Sequence, residues 1–164
     1  MTSFKKASQT DIQLIRKLAE KSWNSAYSAI LTQEQIDYML SEMYSAEEIS
    51  SHLQNPYYHY YLIFNKDETA GFIGFENHYE NKTTKLHRLY LLPEAKGKGF
   101  GKAALDFLKK HTTENGDSRI ILNVNKNNSA KNVYKAQGFT IYKEDVVDIG
   151  NGFVMDDYLM EFIF

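Results

Sequence analysis

The sequence predicts one domain of the α/β (α+β) class. We expect it to cover residues 1–164 as a mixed, mostly antiparallel, twisted sheet of about seven strands with helices on both faces. Length and composition support this, because 164 residues of which 43% are hydrophobic suffice for one buried core. Segments with strand and helix periodicity follow in the order strand, helices, three strands, helix, strand, helix and two strands, which predicts a sheet covered on both sides. A glycine-spaced turn between a strand and a helix is the third observation, and it bears on function.

The N-terminal third is predicted to form a short strand and three helical segments. Thr10 and Asp11 are suited to cap a first helix in which apolar residues recur at helical spacing. Thr32 and Ser45 are candidate caps of two shorter helices, and Pro56 ends this region. The predicted ranges are Ser3–Ala7 for the strand and Thr32–Leu40 and Ala46–Leu53 for the two shorter helices.

The middle of the chain is predicted to form three strands and a helix. The first two strands are rich in aromatic and β-branched residues and are joined by a short polar turn, which indicates a hairpin. In the helix, Gly101, Ala104, Leu105 and Leu108 follow the i, i+3, i+4, i+7 spacing of a buried face. The predicted ranges are Tyr58–Asn65, Thr69–Tyr79 and Thr84–Leu92 for the strands and Gly99–Thr113 for the helix.

The C-terminal third is predicted to contain a buried strand, a helix and a hairpin. The strand is Arg119–Val124, and the helix is Ser129–Gln137, which Gly138 ends. The hairpin strands are Thr140–Val147 and Phe153–Phe164, around a turn that contains two glycines. Because the last strand is aromatic and apolar, we expect it to be a sheet edge at which two copies pair as a homodimer.

Composition excludes several function classes. A net charge of −2 argues against a nucleic-acid partner, which normally requires a basic face. The absence of cysteine excludes a disulfide framework and a thiolate nucleophile. No apolar run approaches a membrane span and the N-terminus has no secretion signal, so we expect a cytoplasmic protein without a membrane partner. The five histidines form no i, i+4 pair and no H-E-x-x-H motif, so no metal site is predicted.

The glycine-spaced turn is suited to bind phosphate. Gly97, Gly99 and Gly101 permit positive φ or a close approach of the backbone to a ligand. The first N–H groups of the following helix lack intrahelical partners and carry partial positive charge, which favours a pyrophosphate. Nearby lysines, among them Lys96 and Lys102, add positive charge. A tight connection without a ligand is the alternative interpretation.

Two familiar phosphate-binding motifs do not fit this turn. A P-loop requires glycine at Lys96 and a hydroxyl at Ala103, and neither is present. The dinucleotide fingerprint requires glycine at Lys102 or Ala104, and no acidic ribose partner follows a second strand.

The turn does match R/Q-x-x-G-x-G/A, filled by residues 96–101 after a strand of the type x-L-Y-V-x-P-E. Here the chain resembles the GNAT superfamily of acetyl-coenzyme A dependent N-acetyltransferases, with Lys96 replacing the usual Arg or Gln. The resemblance implies a splay between the strand ending near Leu92 and the strand Arg119–Val124, where the pantetheine arm of acetyl-coenzyme A (acetyl-CoA) lies. The coenzyme-binding residues that it implies are Leu89, Tyr90, Leu91, Lys96, Gly97, Lys98, Gly99, Phe100, Gly101, Lys102, Asn127 and Tyr134.

A second segment matches the family motif N-x-x-A-x-x-x-Y-x-x-x-G-F without a missing letter. Ala130, Tyr134 and Gly138 share one helix face, so Tyr134 is expected to face the splay. A phenol near the sulfur can protonate the leaving thiolate, which makes Tyr134 the candidate general acid. Packing on the sheet is the alternative role of Tyr134. Asn127 either binds the coenzyme or caps the helix.

The base that deprotonates the amine remains open. The family often has a glutamate at positions that correspond here to Lys85 and His87, and neither is acidic. Period-two alternation predicts that His87 shares a strand face with Leu89 and Leu91, so His87 is one candidate base. Glu76 on the preceding strand is the other, and bulk water suffices if the amine arrives neutral.

The acceptor is predicted from the least patterned regions, residues 23–56 and 145–157. A W-x-x-x-Y and Q-x-x-Y-M pattern resembles PaiA-like polyamine acetyltransferases, which implies a polyamine or another small primary amine. Protein N-termini, lysine side chains and a non-catalytic coenzyme-binding module are the alternatives. The residues suited to surround a cationic amine are Trp23, Tyr27, Glu34, Asp37, Tyr38 and Met39.

Overall fold

The computed structural model describes residues 2–164. Its N-terminal third contains β1 (Thr2–Lys6), a short 3-10 turn (Gln9–Asp11), α1 (Ile12–Tyr27), α2 (Gln33–Met43) and α3 (Ala46–Gln54). The predicted caps Thr32 and Ser45 are confirmed, because each hydroxyl accepts a backbone hydrogen bond three residues later at 3.1 Å. At α1 the cap lies earlier than predicted. The Ser8 N–H donates to the Asp11 carboxylate at 2.9 Å, so the 3-10 turn precedes the helix.

The remaining elements follow the predicted order. They are β2 (Tyr58–Asn65), β3 (Glu68–Glu80), β4 (Thr83–Leu91), a 3-10 turn (Pro93–Ala95), α4 (Phe100–Glu114), β5 (Arg119–Asn125), α5 (Ala130–Ala136), β6 (Thr140–Gly150) and β7 (Phe153–Ile163). The predicted fold class is therefore confirmed. The largest difference is in β6, which continues to the glycine turn instead of ending at Val147. None of the helices in residues 2–164 has the length and apolarity needed to cross a membrane.

The seven strands form one sheet in the order β1-β2-β3-β4-β5-β7-β6. All neighbours are antiparallel except β4 and β5. The prediction that the C-terminal strand is a sheet edge is wrong. After the hairpin, β7 pairs with β5 as well as with β6, so β6 is the strand at the edge.

Helices cover both faces of the sheet and enclose an aromatic core. On one face, Trp23 of α1 packs against Tyr90 of β4, with ring centres 5.5 Å apart, and donates a hydrogen bond to the Tyr44 hydroxyl at 3.1 Å. On the other face, Phe107 of α4 stacks on Phe4 of β1 at 4.3 Å. Such packing of large rings supplies much of the apolar area that a domain of this size buries.

The parallel pair β4 and β5 separates partway along its length. The two strands pair only from Thr83 with Arg119 to Leu86 with Leu122, and beyond these residues they diverge. Buried polar contacts fix the closed end, because Thr84 donates to the Asp117 carboxylate at 2.7 Å and accepts from Asn77 at 3.1 Å. The two strands therefore form a fork whose open end lacks strand-to-strand hydrogen bonds between β4 and β5.

A β-bulge in β4 lies where the fork opens. Leu86 pairs with Phe75 and Arg88 pairs with Gly74, so His87 is an extra residue without its own partner on β3. The predicted strand face of His87 is therefore wrong, because the bulge interrupts the alternation on which it relied. The imidazole stacks on Tyr58, on the sheet face that α3 covers, with ring centres 4.9 Å apart.

Candidate active site

A cavity of about 520 Å³ occupies the open end of the fork. Its walls are the diverging segments of β4 and β5, the end of α1, the glycine turn before α4, and α5. The predicted site residues that line it are His87, Leu89, Tyr90, Leu91, Lys96, Gly97, Gly99, Phe100, Gly101, Lys102 and Tyr134. Lys98, Asn127 and Glu76 are not among the lining residues.

The glycine turn leaves an open space at one end of this cavity. Gly97 and Gly99 have φ of 75° and 87°, and a Cβ at either position would meet no atom within 4 Å. Glycine is therefore favoured here by backbone conformation rather than by crowding. The first helical hydrogen bond of α4 runs from Ala103 N–H to Gly99 O at 3.1 Å, so the N–H groups before Ala103 remain available to a ligand.

Positive charge flanks the glycine turn unevenly. The side chains of Lys96 and Lys102 reach the cavity, and Lys102 also forms an exposed ion pair with Asp106 at 2.8 Å. A backbone amide cradle with two lysines beside it can hold an anion of high charge.

Three tyrosines, Tyr27, Tyr90 and Tyr134, line the cavity. The side chain of Tyr134 is 7% exposed, and burial followed by the nearby Tyr27 raises the pKa of Tyr134 above its usual value. This phenol is therefore protonated at neutral pH and can donate a proton. The hydroxyls of Tyr27 and Tyr90 lie 3.5 Å apart, and the Asn128 amide donates to Tyr27 at 3.3 Å.

The two candidate bases contact each other. His87 Nε2 lies 3.0 Å from Glu76 Oε1, and both side chains are half-buried. Burial, followed by the charges of Lys85 and Arg88, lowers the pKa of His87 to about 3. The imidazole is therefore neutral at pH 7, with Nε2–H donating to Glu76 and Nδ1 free to accept a proton, but it is a weak base toward an alkylammonium of pKa about 10.4.

Asn128 has the two features predicted for Asn127, a hydrogen bond at the start of α5 and a place in the cavity wall. Its Oδ1 accepts a hydrogen bond from Ala130 N–H at 2.9 Å at the start of α5, and its side chain lines the cavity. Asn127 instead donates its backbone N–H to Asn125 Oδ1 at 2.9 Å. The prediction that Asn127 caps the helix is therefore wrong.

The residues predicted to surround a cationic amine are not gathered around one cavity. Trp23 and Met39 belong to the core, and only Tyr27 of the set lines the fork. The Tyr38 hydroxyl donates to Ile149 O at 2.9 Å, and Asp37 accepts from a glutamine of its own helix at 2.9 Å. The helical spacing of apolar residues predicted α1 and α2 themselves. It did not predict which of their side chains pack into the core against the sheet and which face the cavity.

Sequence reasoning missed several residues of the cavity wall. Ser22 and Ala26 come from the end of α1, and Asn123 comes from β5. Asn123 and Asn125 interrupt an otherwise apolar strand, I-I-L-N-V-N. This interruption was the available signal, because a polar side chain within a buried strand needs a partner or a cavity.

Comparison with known proteins identifies the class to which this fold and cavity belong. Residues 28–160 match the family model of the acetyltransferase (GNAT) domain. The chain therefore belongs to the GNAT family of acetyltransferases.

Individual relatives agree with this assignment. The chain is 28% identical over 155 residues, covering 93% of it and 94% of the relative, to a spermidine N(1)-acetyltransferase of Thermoplasma acidophilum. It superposes with a TM-score of 0.84 and 25% identity on PaiA N-acetyltransferase of Thermoplasma acidophilum in complex with coenzyme A, covering 100% and 99% of the two chains. A spermidine N-acetyltransferase of Vibrio cholerae in complex with coenzyme A and spermine shares the fold, at a TM-score of 0.73 and 18% identity over 99% and 95% of the chains.

The cavity fits coenzyme A in three respects. The open space at Gly97 and Gly99 admits a diphosphate against the amides of the first turn of α4. The unpaired edges of β4 and β5 offer backbone partners to an extended arm. Tyr134 lies on the wall of the same cavity and supplies a protonated phenol. Residues 2–164 also bring no group of three or more His, Asp or Glu side chains together in a way that could hold a metal ion.

Proposed function

We propose that this chain transfers the acetyl group of acetyl-CoA to a primary amino group of a polyamine, in a ternary complex. Membership of the GNAT family makes the chain an acetyl-CoA dependent N-acetyltransferase. The observation that carries the proposal is the fork cavity, whose wall contains both a cradle of backbone amides suited to an anion and a protonated phenol. The polyamine acceptor is supported by the spermidine-acetylating relative, which aligns over 93% of this chain.

The coenzyme is proposed to lie along the fork. Backbone groups of Leu89 and Leu91 would bind the arm, and the amides of Gly97 to Lys102 would bind the diphosphate. Lys96 and Lys102 would add charge, with Asn128 near the arm in the place first assigned to Asn127. Acetyl-CoA supplies an activated thioester, which the neutral amine attacks directly.

Tyr134 is proposed to protonate the leaving sulfur. Its raised pKa keeps the phenol protonated until negative charge develops beside it. Because Tyr134 is almost fully buried, its phenol proton does not exchange freely with bulk water before it is transferred to the sulfur.

Proton removal from the amine is proposed to involve the Glu76–His87 pair or water. The imidazole has a low pKa, so it is suited to orient a water molecule or relay a proton rather than to hold one. Glu76 is its hydrogen-bond partner at 3.0 Å. A neutral amine, selected from solution at high pH, needs neither group.

The assembly is proposed to be a homodimer of single domains that each span residues 1–164. The exposed strand β6 supports this, because its free edge carries Ile141, Tyr142 and Val146 at the surface. Light scattering of the purified chain tests the proposal, and a monomer at micromolar concentration would contradict it.

Thiol release from acetyl-CoA tests the acceptor class. We expect spermidine and spermine to release thiol well above the buffer rate, with an amino acid amide and a lysine peptide as comparison amines. If only the peptide or the amino acid amide is acetylated, the polyamine proposal is wrong and the alternative acceptors are favoured. If coenzyme binds but no amine is acetylated, the assignment of Tyr134 and the fork as an active site is wrong.

A further inference from the structure

Asp157 is a buried acid without an ion-pair partner among residues 2–164. It lies on β7, opposite Asn125 of β5 and Asp145 of β6. Its side chain is 7% exposed, and its Oδ1 has neither a hydrogen-bond partner nor contact with solvent. Within residues 2–164, no lysine, arginine or histidine comes within ion-pair distance of it.

Asp157 lies near two residues of the wall of the fork cavity. The Asn123 side chain lowers the pKa of Asp157, and the charge of Asp157 raises the pKa of Tyr27. Both of these residues line the cavity. The carboxylate therefore stands on the sheet face that α1 covers, on the β7 side of the opening.

An unpaired carboxylate in this position is costly to the folded protein. Buried charges are normally paired, because transfer of an isolated carboxylate out of water is strongly unfavourable. Burial indeed raises the pKa of Asp157, with the nearby acids Asp156 and Asp145 adding to the effect and Asn123 and Lys85 opposing it. A positively charged ligand would remove this cost.

The surrounding hairpin is suited to attract such a ligand. Residues 140–157 contain five carboxylates against a single lysine, whereas the whole chain has a net charge of only −2. Lys126 forms ion pairs with both Glu144 and Asp156, each at 3.0 Å, and its single charge offsets one of the two. Asp157 and Asp145 receive no such partner among the described residues, so negative potential remains beside the cavity.

We propose that Asp157 binds a second, non-reacting ammonium group of the acceptor amine and thereby selects di- and polyamines over monoamines. This inference rests on the proposed polyamine acceptor. The reacting amine is neutral when it attacks, whereas the other amino groups of a polyamine are protonated at neutral pH. Asp157 is in this way a specificity-determining residue and takes no part in the acetyl transfer itself.

The test compares spermidine with butylamine, which has one amino group, as acceptors for the full chain and its Asp157→Asn variant. Because a hydrogen bond to a charged group is worth about ten- to hundredfold in affinity, we expect kcat/KM for spermidine to fall by roughly that factor, mainly through KM. The value for butylamine should stay within about twofold. Asp145→Asn is the matched control, since it removes the same charge from an exposed position directly across the strand pair.

Three outcomes would overturn the proposal. Equal losses for spermidine and butylamine, with altered coenzyme affinity, would indicate a structural role for Asp157. Equal losses in the Asp157 and Asp145 variants would indicate a diffuse field rather than a binding position. Unchanged spermidine kinetics in Asp157→Asn would show that no ammonium binds there. If the wild-type chain itself does not acetylate spermidine, the polyamine acceptor fails first, and the role of Asp157 fails with it.

Discussion

Tyr134 combines two properties that a proton donor needs. It is placed on the wall of the fork by the first turns of α5, and it is shielded so thoroughly that the phenolate form is disfavoured. Its ring packs edge-on against Phe139 at 5.9 Å, which holds the side chain in one orientation. The same enclosure gives the residue a structural role, so activity and stability have to be measured separately.

Removal of the Tyr134 hydroxyl tests its role directly. We expect Tyr134→Phe to lower kcat about a hundredfold or more, because the leaving thiolate then lacks its proton donor. Coenzyme affinity should change little, since the ring and its packing are kept. Tyr57→Phe, at an exposed position just before β2, is the control. A variant at position 134 that retains full kcat would show that the phenol only packs.

The sequence predicted a residue's place correctly where a family motif contained that residue. It predicted the place wrongly where a bulge or a long-range strand pairing changed the side chain's surroundings. The glycines and Tyr134 were assigned to the cavity, and they do line it. His87 was assigned to the wrong strand face because a bulge adds one residue to β4. The carboxylate of Asp157 was not singled out, since its burial depends on the pairing of β7 with β5, and α5 and β6 separate these two strands along the chain.

At the level of elements, the turn into α4 depends on glycine for its backbone conformation. Gly99 serves as the N-terminal cap residue in the left-handed conformation, with an open space before it. A side chain there strains the backbone and also fills the space that the amides face. Gly116 has a similar φ of 83° and equally open surroundings, but it follows the end of α4.

This pair of glycines allows strain to be separated from ligand binding. We expect Gly99→Val to weaken coenzyme binding more than about tenfold, because its side chain occupies the open space before the amides. Circular dichroism should show a retained fold, because a left-handed non-glycine residue costs only about 1–2 kcal/mol. Gly116→Val should lose comparable stability and bind coenzyme normally. Isothermal titration with coenzyme A measures both. Normal affinity of Gly99→Val would contradict the anion-binding role of the turn.

The elements themselves were predictable because most of their signals are local. Caps at Thr32 and Ser45 and the polar turn between β2 and β3 were visible in the sequence, and the structure contains them. The position of β7 inside the sheet was not predictable in this way. Its pairing with β5 joins segments that α5 and β6 separate along the chain, and no local pattern specifies such a contact.

At the level of the whole molecule, one acid works against folding. The raised pKa of Asp157 means that the folded chain binds this proton more tightly than the unfolded chain does. Stability therefore falls as the pH rises from the unfolded value of 3.8 through the higher folded value, and the penalty persists at neutral pH. Sites that hold charge for a ligand commonly carry such a cost.

Thermal unfolding across pH tests this cost. We expect Asp157→Asn to melt at a higher temperature than the wild-type chain at pH 7, and the difference should shrink toward pH 4, where the wild-type carboxyl becomes protonated. Spermidine should raise the melting temperature of the wild-type chain more than that of the variant. A variant that is less stable than wild type at neutral pH would show that the carboxylate has a stabilising partner.

The fork between β4 and β5 also has a consequence for the protein before it meets its coenzyme. Past Leu86 and Leu122 the two strands have separated, and their facing N–H and C=O groups are left to water. Amide protons of residues 88–91 on that side should exchange with deuterium faster than those of the closed end, and coenzyme should slow them. The coenzyme arm, bound as proposed, would supply the backbone hydrogen bonds that β4 and β5 do not make with each other. The stability of the folded enzyme would therefore rise with the concentration of coenzyme A around it.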